Sequence, residues 1–360
     1  SLLVMFTLGY LVSSFSSGRL LSLMRVGTLL AASCLATSVS MIGYALAPAW
    51  WVMVALAALA GSGAGAIDAG LNTFAATQFS ARMVNWLHAC YGIGAATGPM
   101  VMTSVLAAHH PWQRGYAIVG AAQLALAFCF VMTRRWWPKV SKEIDETSKV
   151  ARASNITTLK MPAVWLSIAL FFIYTGIEAA AGTWAFSLFT EARKVPIITA
   201  GTWIGIYWGS LTVGRLLSGA AAEFVSTNKL VLFGIVGMAA GAALIWSNVT
   251  TQFGFVGLGL MGLASAPVFP SLIAATPGRL GPAHTANAVG FQIAGAVLGQ
   301  SLLPAMIGML ARRLGLEIVG PSLFFLAVGL VLLQVSLTLP GWKAPQELPA
   351  GADIPRELQG

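Results

Sequence analysis

The 360-residue sequence predicts an all-α membrane protein built from two related halves. Three observations carry that prediction. First, 57% of the residues are hydrophobic and 9% are charged, against roughly 25% charged in ordinary soluble domains. With a mean hydropathy of +0.81, a soluble globule could not hide so much apolar surface. Second, the apolar residues form continuous runs near the roughly 20 residues that cross a bilayer, not the alternating segments of about ten that mark a membrane barrel. Third, Gly-Arg-Leu-Leu-Ser occurs at Gly18–Ser22 and again at Gly214–Ser218, each copy with a glycine nine positions upstream, Gly9 and Gly205. Shared spacing in a shared setting, the end of an apolar run, points to an internal repeat.

Taken in order, eleven membrane helices are expected near 1–17, 27–46, 50–74, 86–107, 115–136, 162–187, 199–220, 229–247, 252–275, 285–309 and 320–340. The longest polar stretch separates five runs from six. The division that follows is an N-terminal bundle over 1–137, a cytoplasmic linker over 138–160, a C-terminal six-helix bundle over 161–340 and a cytoplasmic tail over 341–360. In the second half a whole run, 162–187, precedes the run that ends in the repeat; in the first half none does. The repeat thus implies two pseudo-symmetric six-helix bundles with the first helix of the N-terminal bundle missing. The other reading is a protein of eleven helices.

The net charge of +9 is spread singly or in pairs between apolar runs, as in membrane-facing loops, so it is no nucleic-acid footprint. With a cytoplasmic start for the absent helix, fifteen Lys and Arg fall inside and five outside, Arg114, Arg193, Lys194, Arg312 and Arg313. That bias predicts a multi-pass protein of the inner (plasma) membrane with both termini cytoplasmic. Cys34, Cys90 and Cys129 lie inside apolar runs and read as small core residues. No Gly-Lys-Thr/Ser loop, no Cys/His metal spacing and no shared Ser/His/Asp arrangement is present. ATP drive, a metal, a cofactor and an enzymatic role are therefore not expected.

Ionisable groups inside a membrane are expensive, so each needs a reason. Asp68 falls in the middle of its run, and Asn72 follows one helical turn later on the same face. Glu178 follows Tyr174 by one turn and precedes Trp184. Asp68, Glu178 and His88 are the candidates for proton coupling; the bland readings are a structural carboxylate, a gating salt bridge and a histidine bonded to a backbone carbonyl. Small polar solutes are held by amide hydrogen bonds and aromatic stacking, which proposes Asn72, Tyr91, Tyr174, Trp184, Trp203, Tyr207, Trp208 and Gln292 as a binding set. The halves align with Gln292 opposite Tyr91. Trp50, Trp51, Trp112, Trp136 and Trp137 read instead as interfacial anchors.

Several patches carry a family resemblance. The stretch Gly9 to Arg25, with Gly18-Arg19 and the trailing base, resembles the loop motif between the second and third helices of the major facilitator superfamily, with Ser13 or Ser14 where that motif carries an acid. Its second-half counterpart is Gly214-Arg215. Gly92-Ile-Gly94-Ala-Ala-Thr-Gly98-Pro99 resembles the superfamily's fifth-helix motif, associated most often with antiporters. Asp68 with Asn72, the stretch Asn85-Trp86-Leu-His88-Ala-Cys-Tyr91, and Phe269-Pro270-Ser271 are similar to the fucose–galactose–gluconate:proton symporter group. The resemblance implies the major facilitator fold and a monomeric symporter moving a small polar solute, a sugar or a related compound, with protons by alternating access. Arg19, Arg25 and Arg215 would be gating residues. The alternatives are a drug or metabolite exporter of the same superfamily and a non-transporting membrane sensor or scaffold.

Overall fold

The computed structural model describes residues 2–137 and 153–338. The linker's first part and the tail lie outside the described residues. Among those described, the chain is helical: α1 (Leu2–Phe15), α2 (Ser17–Leu23), α3 (Val26–Leu46), α4 (Trp50–Gln78), α5 (Ala81–Ala107), α6 (Trp112–Thr133), α7 (Asn155–Leu159), α8 (Pro162–Ser187), α9 (Ile197–Ala221), α10 (Thr227–Ser247), α11 (Thr251–Ser265), α12 (Val268–Leu280), α13 (Pro282–Leu314) and α14 (Val319–Thr338). Each expected apolar run falls in helix, and all but 252–275 in a single one. Eight helical stretches are long and apolar enough to cross a membrane, and α1 is shorter. The long helices α5 and α9 fall outside that set, and polar contacts join one to the other as described below.

Helices α1, α3, α4, α5 and α6 pack on one another, as do α8 to α14. In the first group α1 lies against α4, and α3 against both α4 and α6. Close approach of α1 to α4 depends on missing side chains: a Cβ at Gly9 would strike the Ala58 carbonyl, and one at Gly61 the Phe6 carbonyl. The main apolar core lies in the second group, around Phe171, Ile177, Ile235, Met238 and Phe291.

Two expectations need correcting. The run 252–275 is not one helix: it breaks after Ser265, and α12 begins beyond Pro267. Proline lacks an amide proton and its ring crowds the preceding turn. The half α11 stays packed on α9 and α10, whereas α12 reaches across to α4 and α5. The repeat copies also differ. In the first, the helix ends at Phe15, so Arg19 lies past the break and is exposed. In the second, α9 runs on to Ala221, so Arg215 lies within a helix and is 5% exposed. Arg215 is an interior residue, not a loop base.

Candidate functional site

The site grows from α4. Asp68 and Asn72 are one turn apart, and the Asn72 amide nitrogen donates to the Asp68 carboxylate at 2.6 Å and to its carbonyl at 2.9 Å. Tight packing of α1 brings the Tyr10 hydroxyl to the other Asp68 oxygen, where it donates. That commitment fixes the Asn72 amide, so its oxygen faces His88 Nε2 at 2.9 Å. An amide oxygen only accepts; His88 therefore carries its proton on Nε2. The His88 ring lies edge-on to Phe269 of α12, with centroids 5.0 Å apart.

The path continues into the second bundle. Arg215 of α9 donates through Nη1 to the His88 carbonyl at 3.2 Å. Its Nη2 lies 3.9 Å from Glu178 Oε2. The Tyr174 hydroxyl sits within hydrogen-bonding reach of that same oxygen and of the Ser265 carbonyl, at 3.0 Å, where the span breaks. Tyr207 donates to the Glu178 carbonyl at 2.9 Å. A connected polar path thus runs Tyr10–Asp68–Asn72–His88–Arg215–Glu178–Tyr174 from one bundle to the other. Tyr91, one turn beyond His88, has its ring 6.0 Å from the Arg215 guanidinium and is 68% exposed. The path holds two carboxylates and one guanidinium, which together sum to −1 with both acids ionised and to 0 with one protonated.

The remaining candidates sit elsewhere. Gln292 is 1% exposed; its oxygen accepts from Thr276 at 3.0 Å and its nitrogen donates to Ser167. Its amide is thus fully engaged inside the second bundle rather than turned towards Tyr91. Tyr174 and Tyr207 are wholly buried and hold Glu178. The Trp184 indole donates to the Pro304 carbonyl at 2.8 Å. Trp203 packs between Phe189 and Phe255, and Trp208 lies edge-on to Tyr207. Arg19 is exposed, and Arg25 donates to the Arg135 carbonyl at 3.2 Å. Ser13 and Ser14, at the motif's acidic position, face Gly65 on α4.

Sequence reasoning missed Tyr10, whose signal was its place beside Gly9, and it missed the closure at the linker end. There Arg82 pairs with Glu223, and its guanidinium lies 4.2 Å over the Trp86 ring. Ser218 donates to Asn85 at 2.9 Å. Ser17 donates to the Ala286 carbonyl at 3.3 Å, and Gly18 lies against Asn287. Asn287 in turn donates to Ala153 and Thr158 beside α7. Further along, α5 and α9 part: at Gly94, Gly98, Gly201, Gly205 and Gly209 nothing lies within 4 Å of where a Cβ would stand. The bundles meet at the linker end, and the polar path lies just inside that contact. Among the described residues no group of three metal-ligating side chains occurs.

Two helical bundles meeting around a buried polar path define a transporter rather than an enzyme. The chain belongs to the Major Facilitator Superfamily: that family's model matches residues 1–223. A relative from Saccharomyces cerevisiae, Bypass of stop codon protein 6, is 26% identical over 91% of this chain and 72% of its own length. The Sodium-dependent glucose transporter 1 of Danio rerio is 22% identical over 84% of this chain and 56% of its own. The Glucose/galactose transporter of Brucella abortus is 23% identical over 63% and 52%. The chain therefore spans little more than half the length of these two sugar transporters. Among solved structures, the fold is similar to that of FucP in an outward conformation, with a TM-score of 0.78 at 14% identity, covering 94% of this chain and 89% of that one. It is also similar to the proton:xylose symporter XylE, with a TM-score of 0.71 at 13% identity over 93% and 84%. The resemblance read from the short motifs is met at the level of superfamily and fold.

Proposed function

We propose that this chain moves a small polar solute of the sugar class together with protons, by alternating access at the polar path between the bundles. The observation that carries this reading is the connection of Asp68 to Glu178 through Asn72, His88 and Arg215. In such a path one proton changes the charge shared by both bundles. The positive-inside bias supports a cytoplasmic linker end in the plasma membrane, and with that orientation this conformer is closed to the cytoplasm. A proton arriving from outside neutralises Asp68 or Glu178. Solute then binds near Tyr91 and Asn72, the bundles close over it, and release inside follows deprotonation. The protein works as a monomer. Accumulation of labelled sugars in liposomes holding the purified full-length protein, under an imposed pH gradient, tests this. Uptake that survives collapse of the gradient but stops without sodium replaces the proton by sodium; uptake that ignores both rejects coupling.

An exporter is the second reading, favoured by the Gly92–Pro99 motif of α5, where Gly94 and Gly98 face open space. Accumulation of solute against the proton gradient, rather than with it, would establish that direction.

A further inference from the structure

A second site lies away from the transport path, on the linker side of the first bundle. Leu23, Met24, Arg25, Thr28, Arg134 and Arg135 line a cavity of about 570 Å³. Arg25 immediately precedes α3 and Arg134 immediately follows α6. Both helices are long and apolar enough to span the membrane, so these guanidiniums stand one or two residues beyond the apolar spans, at headgroup depth. All three arginines are exposed. Among the described residues none meets a carboxylate; the ion pairs join Arg82 to Glu223, Arg193 to Glu317 and Arg215 to Glu178. Arg25 has only the neutral Arg135 carbonyl. Topology alone accounts for basic residues on this side. It does not account for a base from the α2–α3 turn meeting two consecutive bases from the end of α6 in one recess, where like charges repel unless an anion joins them.

We propose that this cavity binds the headgroup of an anionic membrane phospholipid. The lining has the two-part character of such a ligand: three guanidiniums for phosphate oxygens, and Leu23, 67% exposed, with Met24 for the start of an acyl chain. Trp136, 83% exposed, and Trp137, packed on Phe74 and Phe130, flank it as headgroup-level aromatics do. The site connects to the closure. Leu23 ends α2, whose Ser17 and Gly18 contact α13. A bound headgroup fixes the α2–α3 turn against α6 and so favours the form closed at the linker end.

The purified full-length protein in nanodiscs of phosphatidylcholine, with and without phosphatidylglycerol, gives the test by thermal unfolding. Phosphatidylglycerol is expected to raise Tm by about 3 °C or more. The doubly substituted Arg134→Gln/Arg135→Gln protein should keep its Tm in phosphatidylcholine and lose that rise, and Arg134→Lys/Arg135→Lys should keep part of it. Inorganic phosphate producing the same rise in phosphatidylcholine discs would make the site one for a free anion and overturn the lipid source. A rise equal in the Gln variant, or none in the wild type, overturns the site. Should the Gln variant fail to fold, native mass spectrometry of the wild type decides: phosphatidylglycerol and phosphatidylcholine retained equally after delipidation sinks the proposal.

Discussion

Asp68 is held by donors that carry no charge, Tyr10 and Asn72, whereas Glu178 has the Arg215 guanidinium 3.9 Å away. The two acids are thus not equivalent, and on the proposed function the uncharged partners of Asp68 make it the first candidate for the proton carrier. Asp68→Asn should abolish gradient-driven accumulation while sparing downhill counterflow; unchanged accumulation would make Asp68 structural. Asn72→Ala leaves the Asp68 carboxylate and His88 Nε2 each short of a partner, which should cost ~1–3 kcal/mol and lower the Tm in detergent. Of this site, Asp68, Asn72, His88 and Glu178 were legible in the sequence, because polar residues deep inside apolar runs need a reason to be there. Gln292 was misplaced because helical spacing does not say which neighbour a buried face meets. Tyr174 and Tyr207 looked like solute ligands but anchor Glu178, a role visible only once α8 and α9 are packed together.

At the scale of helices, two features make sharp predictions. Gly9→Leu should force α1 away from α4, against the Ala58 carbonyl, and so lift Tyr10 off Asp68; overpacking of this kind costs ~1–3 kcal/mol. The expected result is a lower Tm together with loss of coupling, and wild-type Tm and uptake would show that the helices part freely. Pro267→Ala permits α11 and α12 to join. It should slow interconversion of the two access states, read as a fall in counterflow rate with solute affinity kept. The apolar runs located the helices well, since hydropathy changes sharply at each loop. The α11–α12 break escaped notice because apolar residues continue through it, even though Pro267 stood in plain view.

For the whole molecule, the closure at the linker end has a polar part, in which Asn85–Ser218 and Arg215 on the His88 carbonyl join α5 to α9 and Arg82 pairs with Glu223 just past α9, beside the contacts of Ser17 and Gly18 with α13. The exposed Arg82–Glu223 pair contributes only ~0–1 kcal/mol, so it is the lightly held part of this contact. Asn85→Cys with Ser218→Cys, introduced after the native cysteines are removed, should cross-link under oxidation, stop transport and recover it on reduction. Failure to cross-link in any condition would contradict the closed arrangement. The two-bundle plan was readable from the repeat, but the inequivalence of its copies was not: the chain breaks after Phe15 yet runs straight through Arg215. That guanidinium, fixed in the interior with two carboxylates, also gives the carrier an electrical character. In the proposed cycle the two carboxylates and the guanidinium sum to one net negative charge when both acids are ionised and to none with one proton bound. A membrane potential negative inside acts only on the empty form, by up to ~2.3 kcal/mol per 100 mV for a charge crossing the full field. Voltage would then return the unloaded carrier to face outward, making reorientation, rather than solute binding, the step on which a resting cell exerts its pull.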